Sequence, residues 1–197
     1  PYRFARLQEL LKANIPIDAS KAASILRNRK GVGGAELGLA NEMAINQFIA
    51  HHSVIFQPEK KLMWVSTSPW QCGKYVAYDL NRIFSDSIDF NHEIYTGDLT
   101  LPADSFLQQQ EYQQLMAYKR LAPVLRKQIK KKERLDEQTL HAFQHANPHF
   151  FYVYELLGDY YHATGQQDKA LRNWKKALLL PIPKRSESER IEHKINN

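Results

Sequence analysis

The sequence predicts an α+β fold in two parts, with a sheet in residues 1–100 and an all-helical extension in residues 101–197. Two short runs rich in Val, Ile, Phe and Trp, Phe48–Phe56 and Leu62–Ser66, have the composition of β-strands. Apolar residues recur at helical spacing before these runs, and again from Asp104 onwards. We therefore expect two helices, then a sheet, then a separate helical part.

The two strands are predicted to form a hairpin through the turn Gln57–Lys60, in which Pro58 fixes a backbone angle suited to a type I turn. Side chains alternate along a strand, so Trp64 lies on one face while Met63 and Val65 lie on the other. A hairpin that is apolar on both faces must be covered on both sides, which it cannot do alone. We expect most of the remaining strands to come from outside this chain.

Two helices are predicted before the hairpin. The first is Arg3–Lys12, and the second is Ala19–Arg29 with Asp18 as its N-cap. The glycines between residues 31 and 38 follow a helix rather than a strand, which favours a turn-rich connection over a phosphate-binding loop. After the hairpin, Lys74–Leu80 alternates and is predicted to be a third short strand. The predicted core positions are Phe4, Leu7, Leu10 and Leu11 in the first helix, and Ala22, Ile25 and Leu26 in the second.

A long helical stretch follows Asp104, and Pro123 is expected to break or kink it near Ala122. A further helix is predicted over Asp136–Ala146. Between them, the run Arg126–Arg134 is strongly basic and could contact nucleic-acid phosphates. It lacks the interleaved aromatic residues of single-strand binding proteins, so we favour a solvated helix face.

Residues Tyr152–Pro181 match the pattern of one tetratricopeptide repeat, which we expect at about residues 150–182. Small residues at Gly158 and Ala170 would let two antiparallel helices approach closely. One repeat cannot bury its faces alone, so the preceding helices are the expected neighbours. The matching positions are Tyr154, Leu157, Gly158, Tyr161, Gly165, Ala170, Trp174, Ala177 and Pro181.

The composition excludes several classes of protein. An apolar content of 43% with 24% charged residues is typical of a soluble globular protein. No run approaches the roughly 20 apolar residues of a membrane span, and the single cysteine excludes an internal disulfide framework. The first ten residues have no apolar signal-peptide core, so export would need a signal upstream of Pro1. The net charge of +6 owes much to the basic run, so it does not by itself indicate an acidic partner.

Five residues are candidates for chemistry. Cys72 could be a nucleophile, but it lies in a loop without any recognisable cysteine-protease context. His51 and His52 would face opposite sides of a strand and cannot share a metal ion, and one of them is expected inside the sheet. His141 and His145 lie four residues apart without an acidic partner at metalloprotease spacing, which favours an exposed helix face. We therefore predict no metal site and no cofactor.

The segment HHSVIFQPEKKLMWVSTSPWQCGKYVAYDL, residues 51–80, resembles the closing segment of the isopenicillin-N acyltransferase-like family of N-terminal-nucleophile hydrolases. The helical lead-in RLQELLKANIPIDASKAASILRNRKG is also similar, so the resemblance covers about residues 2–80. It implies a fragment of the αββα sandwich of these enzymes. It also implies an amide hydrolase or acyltransferase made as a precursor, which cleaves itself to expose an amino-terminal cysteine as its nucleophile.

The chain departs from the family pattern where the chemistry would lie. It begins with Pro1, and Cys72 falls in the region that matches the family's last loop. The resemblance therefore implies a noncatalytic carboxy-terminal portion, with the nucleophilic cysteine on an upstream part of the same protein. No catalytic residue is assigned here. Thr67, Ser68 and Trp70 are expected to border the pocket for a small N-acyl substrate with a linear amide C–N bond.

The alternative is a stand-alone interaction module made of helical repeats. Stacked helices of this kind present a groove for a peptide or for a second copy of the chain. A nucleic-acid partner and a membrane span are expected in neither case.

Overall fold

The computed structural model of the protein describes residues 2–85, 91 and 93–196. Within these residues the fold is α+β, with eight α-helices and one four-stranded antiparallel sheet. The chain divides into two compact units, which we call the sheet unit and the helical unit. The sheet unit comprises Pro1–Ala35 and Ala44–Leu107, and the helical unit comprises Glu36–Met43 and Gln108–Asn197.

The sheet unit begins with helices α1, Tyr2–Ala13, and α2, Ala19–Leu26. Asp18 caps α2 as predicted, because its carboxylate accepts a hydrogen bond from the backbone N–H of Lys21 at 2.8 Å. The helix ends at Leu26 rather than at Arg29, and the residues after it contact other segments, as described below.

The predicted apolar stripe of α1 is wrong. Phe4 is 57% exposed, Leu11 is also exposed, and the two leucines between them are only half-buried. The buried residue of α1 is Arg6, whose Nε donates a hydrogen bond to the side-chain oxygen of Asn28 at 3.2 Å. Polar contacts, which helical periodicity does not reveal, therefore decide which side of α1 faces inward.

The sheet has the strand order β1–β2–β3–β4, and a short helix, α3, follows β3. The predicted hairpin is confirmed as the β1–β2 pair, although its first strand starts at Val54 and not at Phe48. The third predicted strand is confirmed as β3, while β4 was not predicted. The chain itself supplies two strands beyond the hairpin, β3 and β4, so the expectation that most of the remaining strands of this sheet come from outside is wrong. The elements are β1 Val54–Gln57, β2 Leu62–Ser66, β3 Tyr75–Asp79, α3 Leu80–Ile83 and β4 Thr96–Leu101.

The two faces of the sheet differ in how they are covered. One face, with Trp64 at its centre, is buried against α2 around Ala23. The opposite face, which we call the open face, consists of two cross-strand rows of apolar side chains that are all exposed or half-buried. The rows are Val54, Val65 and Val76, and Phe56, Met63 and Tyr78.

The helical unit contains five helices around one core. Pro123 lies inside α4, which continues past it, so the helix does not break there, and the kink that was the other expectation stays a prediction. Proline cannot donate to the carbonyl of Lys119, but buried residues on both sides of it hold the helix to the core. The helices are α4 Gln110–Lys131, α5 Glu137–Ala146, α6 Phe151–Ala163, α7 Gln167–Leu178 and α8 Arg185–Asn196.

Helices α6 and α7 form a tightly packed hairpin. A Cβ atom at Gly158 would lie 2.3 Å from the Trp174 ring, so the absence of a side chain at Gly158 makes room for that ring. Ala170 is fully buried on α7. These contacts follow the predicted pattern of small and aromatic residues, and the tetratricopeptide-like repeat itself stays a prediction. None of the helices in the described part of the chain is both long and apolar enough to cross a membrane.

Candidate functional site

The loop of residues 67–74 connects β2 to β3 and carries the three residues predicted to border a substrate pocket. The hydroxyl of Thr67 donates to a backbone carbonyl at the other end of the loop, at 3.1 Å, and so closes it. Ser68 is exposed, while the Trp70 ring packs edge-on against Phe48 with 6.0 Å between ring centres. The structure thus brings the three residues into one turn, and a substrate pocket around them stays a prediction.

This loop has an unusual backbone. Trp70 and Gln71 have φ angles of 42° and 59°, in the left-handed region that costs a side-chain-bearing residue about 1–2 kcal/mol. The Gln71 side-chain amide offsets part of this cost by donating to the carbonyl of Leu26 at 2.9 Å. Gly73 is required as well, because a Cβ there would lie 2.3 Å from the Ser68 carbonyl oxygen. Backbone strain of this kind is concentrated at functional sites, which makes the loop a candidate site.

Arg27 clamps the loop from outside. Its Nη2 donates to the carbonyls of Gly73 at 2.6 Å and Pro102 at 2.9 Å, and its Nε donates to that of Gln71 at 3.4 Å. Its guanidinium carbon also lies 4.9 Å from the ring centre of Tyr75. Arg27 therefore ties the end of α2 to the loop and to the chain after β4. Sequence reasoning missed this role because the partners lie 44 to 75 residues away.

Cys72 is fully buried inside the loop region, at 0% exposure. Its Sγ accepts a hydrogen bond from Nδ2 of Asn46 at 3.3 Å, and the same amide donates to the carbonyl of Trp70 at 3.5 Å. Burial raises the pKa of the Cys72 thiol and outweighs the lowering effect of the Asn46 hydrogen bond. The thiol is therefore held in its protonated, unreactive form, as a structural residue.

We expect Cys72 to resist alkylation in the folded protein, because both burial and its raised pKa disfavour the thiolate. Iodoacetamide should modify it at least about tenfold more slowly in the native protein than in denaturant. Mass spectrometry of timed samples measures both rates. Equal rates in the two conditions would show that the thiol is accessible, and the structural assignment would then be wrong.

Three hydroxyl groups lie close together at the end of the sheet that adjoins the loop of residues 67–74. The Ser66 hydroxyl accepts from the backbone N–H of Ser53 at 2.7 Å, and the Ser53 hydroxyl is hydrogen-bonded to the buried Tyr75 hydroxyl. Burial is the main cause of the raised pKa of Tyr75. Within the described residues, no histidine or carboxylate is hydrogen-bonded to the three hydroxyls. The three hydroxyls bond to one another and to the backbone at the strand ends, and no described residue serves them as the base that a nucleophilic serine needs.

The four histidines that the sequence singled out are not grouped into one site. His51 and His52 are both exposed, so the expectation of one inside the sheet is wrong. The reason is that β1 starts only after them, at Val54. His141 and His145 lie on an exposed face of α5 as expected, with their rings 5.2 Å apart. In the described ranges, no three His, Cys, Asp or Glu side chains are grouped so that they could hold a metal ion.

Comparisons of this chain with models of protein families, with curated proteins and with solved structures found no match. The function is therefore inferred from the residues and contacts described above.

Proposed function

We propose that this chain is the noncatalytic carboxy-terminal portion of a cysteine N-terminal-nucleophile hydrolase or acyltransferase that acts on linear amide C–N bonds. The nucleophilic cysteine would lie on an upstream part of the same protein. The chain would contribute one sheet of an αββα sandwich and, through the loop of residues 67–74, part of the wall around a small N-acyl substrate.

The open face of the sheet is the observation that carries this proposal. Phe56 is 63% exposed and Val54 37% exposed, and the other four side chains of the two rows are only half-buried. A contiguous apolar surface of this kind marks an interaction site on a protein. In a sandwich such a face packs about 10 Å from a second sheet, which buries both inner faces. An αββα arrangement requires this packing.

The edge of the sheet supports the same proposal. β1 is an outer strand, and in the described part of the chain no strand pairs with its free side. An outer strand with unpaired N–H and C=O groups is able to accept another strand. The sheet can therefore be extended beyond β1 as well as covered on its open face.

The buried Cys72 is also consistent with the proposal. It has neither the exposure nor the lowered pKa of a nucleophile. Together with the hydroxyl groups of Ser53, Ser66 and Tyr75, it belongs to the structural support of the loop. The chemistry of bond cleavage would then depend on the upstream part.

The test compares this chain with the longer protein that includes the preceding sequence of its gene. Hydrolysis of small N-acyl amides is expected from the longer protein alone, and Cys72→Ala should leave that activity in place. Amide hydrolysis by this chain alone, or loss of all activity in a folded Cys72→Ala variant, would overturn the proposal.

A substitution on the open face gives a second test. Phe56→Asp should change the free energy of unfolding of this chain by only about 0.5 kcal/mol, since its side chain is mainly exposed. In the longer protein the new carboxylate would be buried without a partner, at a cost of several kcal/mol, and activity should be lost. Urea unfolding and the amide assay measure the two effects.

The control for Phe56→Asp is Lys60→Asp, at the exposed tip of the hairpin. This variant should retain activity in the longer protein. If Phe56→Asp is equally harmless in the longer protein, the open face is in contact with solvent there and the sandwich proposal fails.

A groove in the helical unit favours the interaction module as the second candidate function. It has a volume of about 340 Å³ and combines acidic, basic and aromatic side chains, including Glu137, Tyr161, Lys169 and Arg172. Such a lining can hold an extended peptide through paired charges. Selection of peptides from a random library by the intact chain tests this function. Binding that survives Arg172→Ala unchanged would exclude this groove as the site.

A further inference from the structure

A polar cavity of about 440 Å³ lies in the sheet unit beside the end of α2. Among the described residues, its lining consists of hydroxyl, amide, guanidinium and ammonium groups with one carboxylate and one alanine. Neither the open face nor the loop of residues 67–74 forms part of this lining. The residues that carry the inference are Ser20, Ser24, Arg27, Arg29, Asp104 and Ser105.

Two contacts hold the Arg29 side chain in place in the lining of this cavity. Its Nη1 donates to the carboxylate of Asp104 at 2.7 Å, and its guanidinium carbon lies 4.2 Å from the ring centre of Phe106. Among the described residues, Nε and Nη2 of Arg29 have no hydrogen-bond acceptor. These two atoms form one edge of the guanidinium, and that edge can donate two parallel hydrogen bonds to a carboxylate or a phosphate.

Arg27 is the second cation in the wall and is equally well fixed. Its Nε and Nη2 are used for the carbonyls of the loop and of Pro102. Its Nη1 finds no acceptor within the part of the chain that the structure describes. Because the framework already holds both guanidinium groups, a ligand would lose little affinity in ordering them.

Three hydroxyl groups complete the set of donors. Ser20 and Ser24 are exposed and lie four residues apart on α2, and therefore on the same side of the helix. Ser105 is contributed by the chain after β4. A hydroxyl group can rotate to donate a hydrogen bond to an oxygen at various positions. The serines therefore complement the guanidinium groups of the arginines, whose N–H donors point in fixed directions.

The charges of the wall favour an anion. Arg27 and Arg29 line the cavity, and Asp104 is the only carboxylate among the described residues of its lining, so these three side chains together carry one net positive charge. The C-terminal end of α2 opposes an anion with about half a negative charge, which is less than the excess of positive charge. We propose that this cavity binds the oxyanion group, carboxylate or phosphate, of a small polar ligand. The proposal does not depend on the amide-hydrolase assignment.

The test is a titration of the ¹⁵N-labelled intact chain with sodium phosphate and, separately, sodium acetate, with sodium chloride at matched ionic strength as the reference. The Nε–Hε resonance of Arg29 and the backbone amides of residues 28–30 report binding. Saturable shifts with phosphate, acetate or both are expected, and the effective anion identifies the ligand class. Shifts that are linear and equal to those from chloride would overturn the proposal.

Variants locate the site. Arg29→Gln should weaken anion binding about tenfold, because it removes the positive charge and the pair of parallel hydrogen bonds that the guanidinium can donate. Arg3→Gln, which removes the same charge at an exposed position on α1, should leave it unchanged. The double variant Ser20→Ala/Ser24→Ala changes only exposed hydroxyls and should weaken binding roughly threefold, even if Arg29→Gln fails to fold. Equal affinities in the double variant and in the unsubstituted chain would contradict the proposed site.

Discussion

Substitution Gly158→Ala is expected to destabilise the helical unit by about 2–3 kcal/mol. In most helices this change stabilises, by up to about 1 kcal/mol, because alanine restricts the unfolded chain. Here the added Cβ would lie 2.3 Å from Cδ1 and 2.4 Å from Nε1 of Trp174. Trp174 is 2% exposed, and its Nε1 donates to Asp159 at 2.9 Å, so the ring cannot move aside without losing that bond and its packing. We expect the steric effect to be the larger one.

Urea unfolding followed by circular dichroism measures this loss. Gly97→Ala is the matched control, since a Cβ there meets no atom within 4 Å and the expected change is within about 0.5 kcal/mol. The smaller ring of a Trp174→Phe background should reduce the cost of Gly158→Ala, which a double-mutant cycle detects. A Gly158→Ala protein as stable as the parent would contradict the close packing of α6 on α7.

Substitution Glu155→Gln should destabilise the helical unit by about 2 kcal/mol. Glu155 is 1% exposed on α6 and accepts hydrogen bonds from Arg190 at 2.8 Å, through two atoms, and from Lys194 at 2.7 Å. The amide cannot accept these charged donors at both of its atoms. Because Arg190 is half exposed, it can return to water, which keeps the loss below that of a wholly buried pair.

This ion pair also makes stability depend on pH. Burial alone would raise the pKa of Glu155, but hydrogen bonds from Arg190 and Lys194 outweigh it and hold the pKa below the ordinary value of 4.5. A carboxyl group with a lowered folded-state pKa stabilises the protein above its unfolded pKa, and this contribution is lost as pH falls through the folded pKa. Glu155→Gln should therefore flatten the decline in stability below about pH 4.5.

Urea unfolding at a series of pH values, with Glu192→Gln as control, separates the two contributions. Glu192 is an exposed carboxylate on α8, so its replacement should change stability by no more than about 0.5 kcal/mol. Equal losses from the two substitutions would mean that the interaction of Glu155 with α8 adds nothing beyond surface charge.

Elements with a strong local signal were predictable from the sequence. Asp18 caps α2, the Pro58 turn joins β1 to β2, and the small residue at Gly158 accommodates an aromatic ring. Each of these features depends on residues within one element or on two elements joined by a short turn. Strand alternation also placed Met63 and Val65 correctly on the face opposite Trp64.

Features that depend on distant partners were missed. The sequence of α1 suggests an apolar stripe, yet its inward-facing residue is Arg6, because Asn28 accepts from its guanidinium. Helix α4 continues through Pro123 because tertiary packing outweighs the missing backbone hydrogen bond. At the candidate site, Arg27 donates hydrogen bonds to carbonyl groups as many as 75 residues away in the sequence. No local sequence pattern predicts such contacts.

The free side of β1 has a consequence for how the chain behaves after synthesis. β1 is a short edge strand with the apolar residues Val54, Ile55 and Phe56. An identical strand of another molecule can pair with its free side and so begin an intermolecular sheet. Lys60 and Lys61, at the hairpin tip, place two positive charges at one end of this strand and disfavour such pairing. The shortness of β1 and these two charges both oppose self-association of the chain through its outer strand.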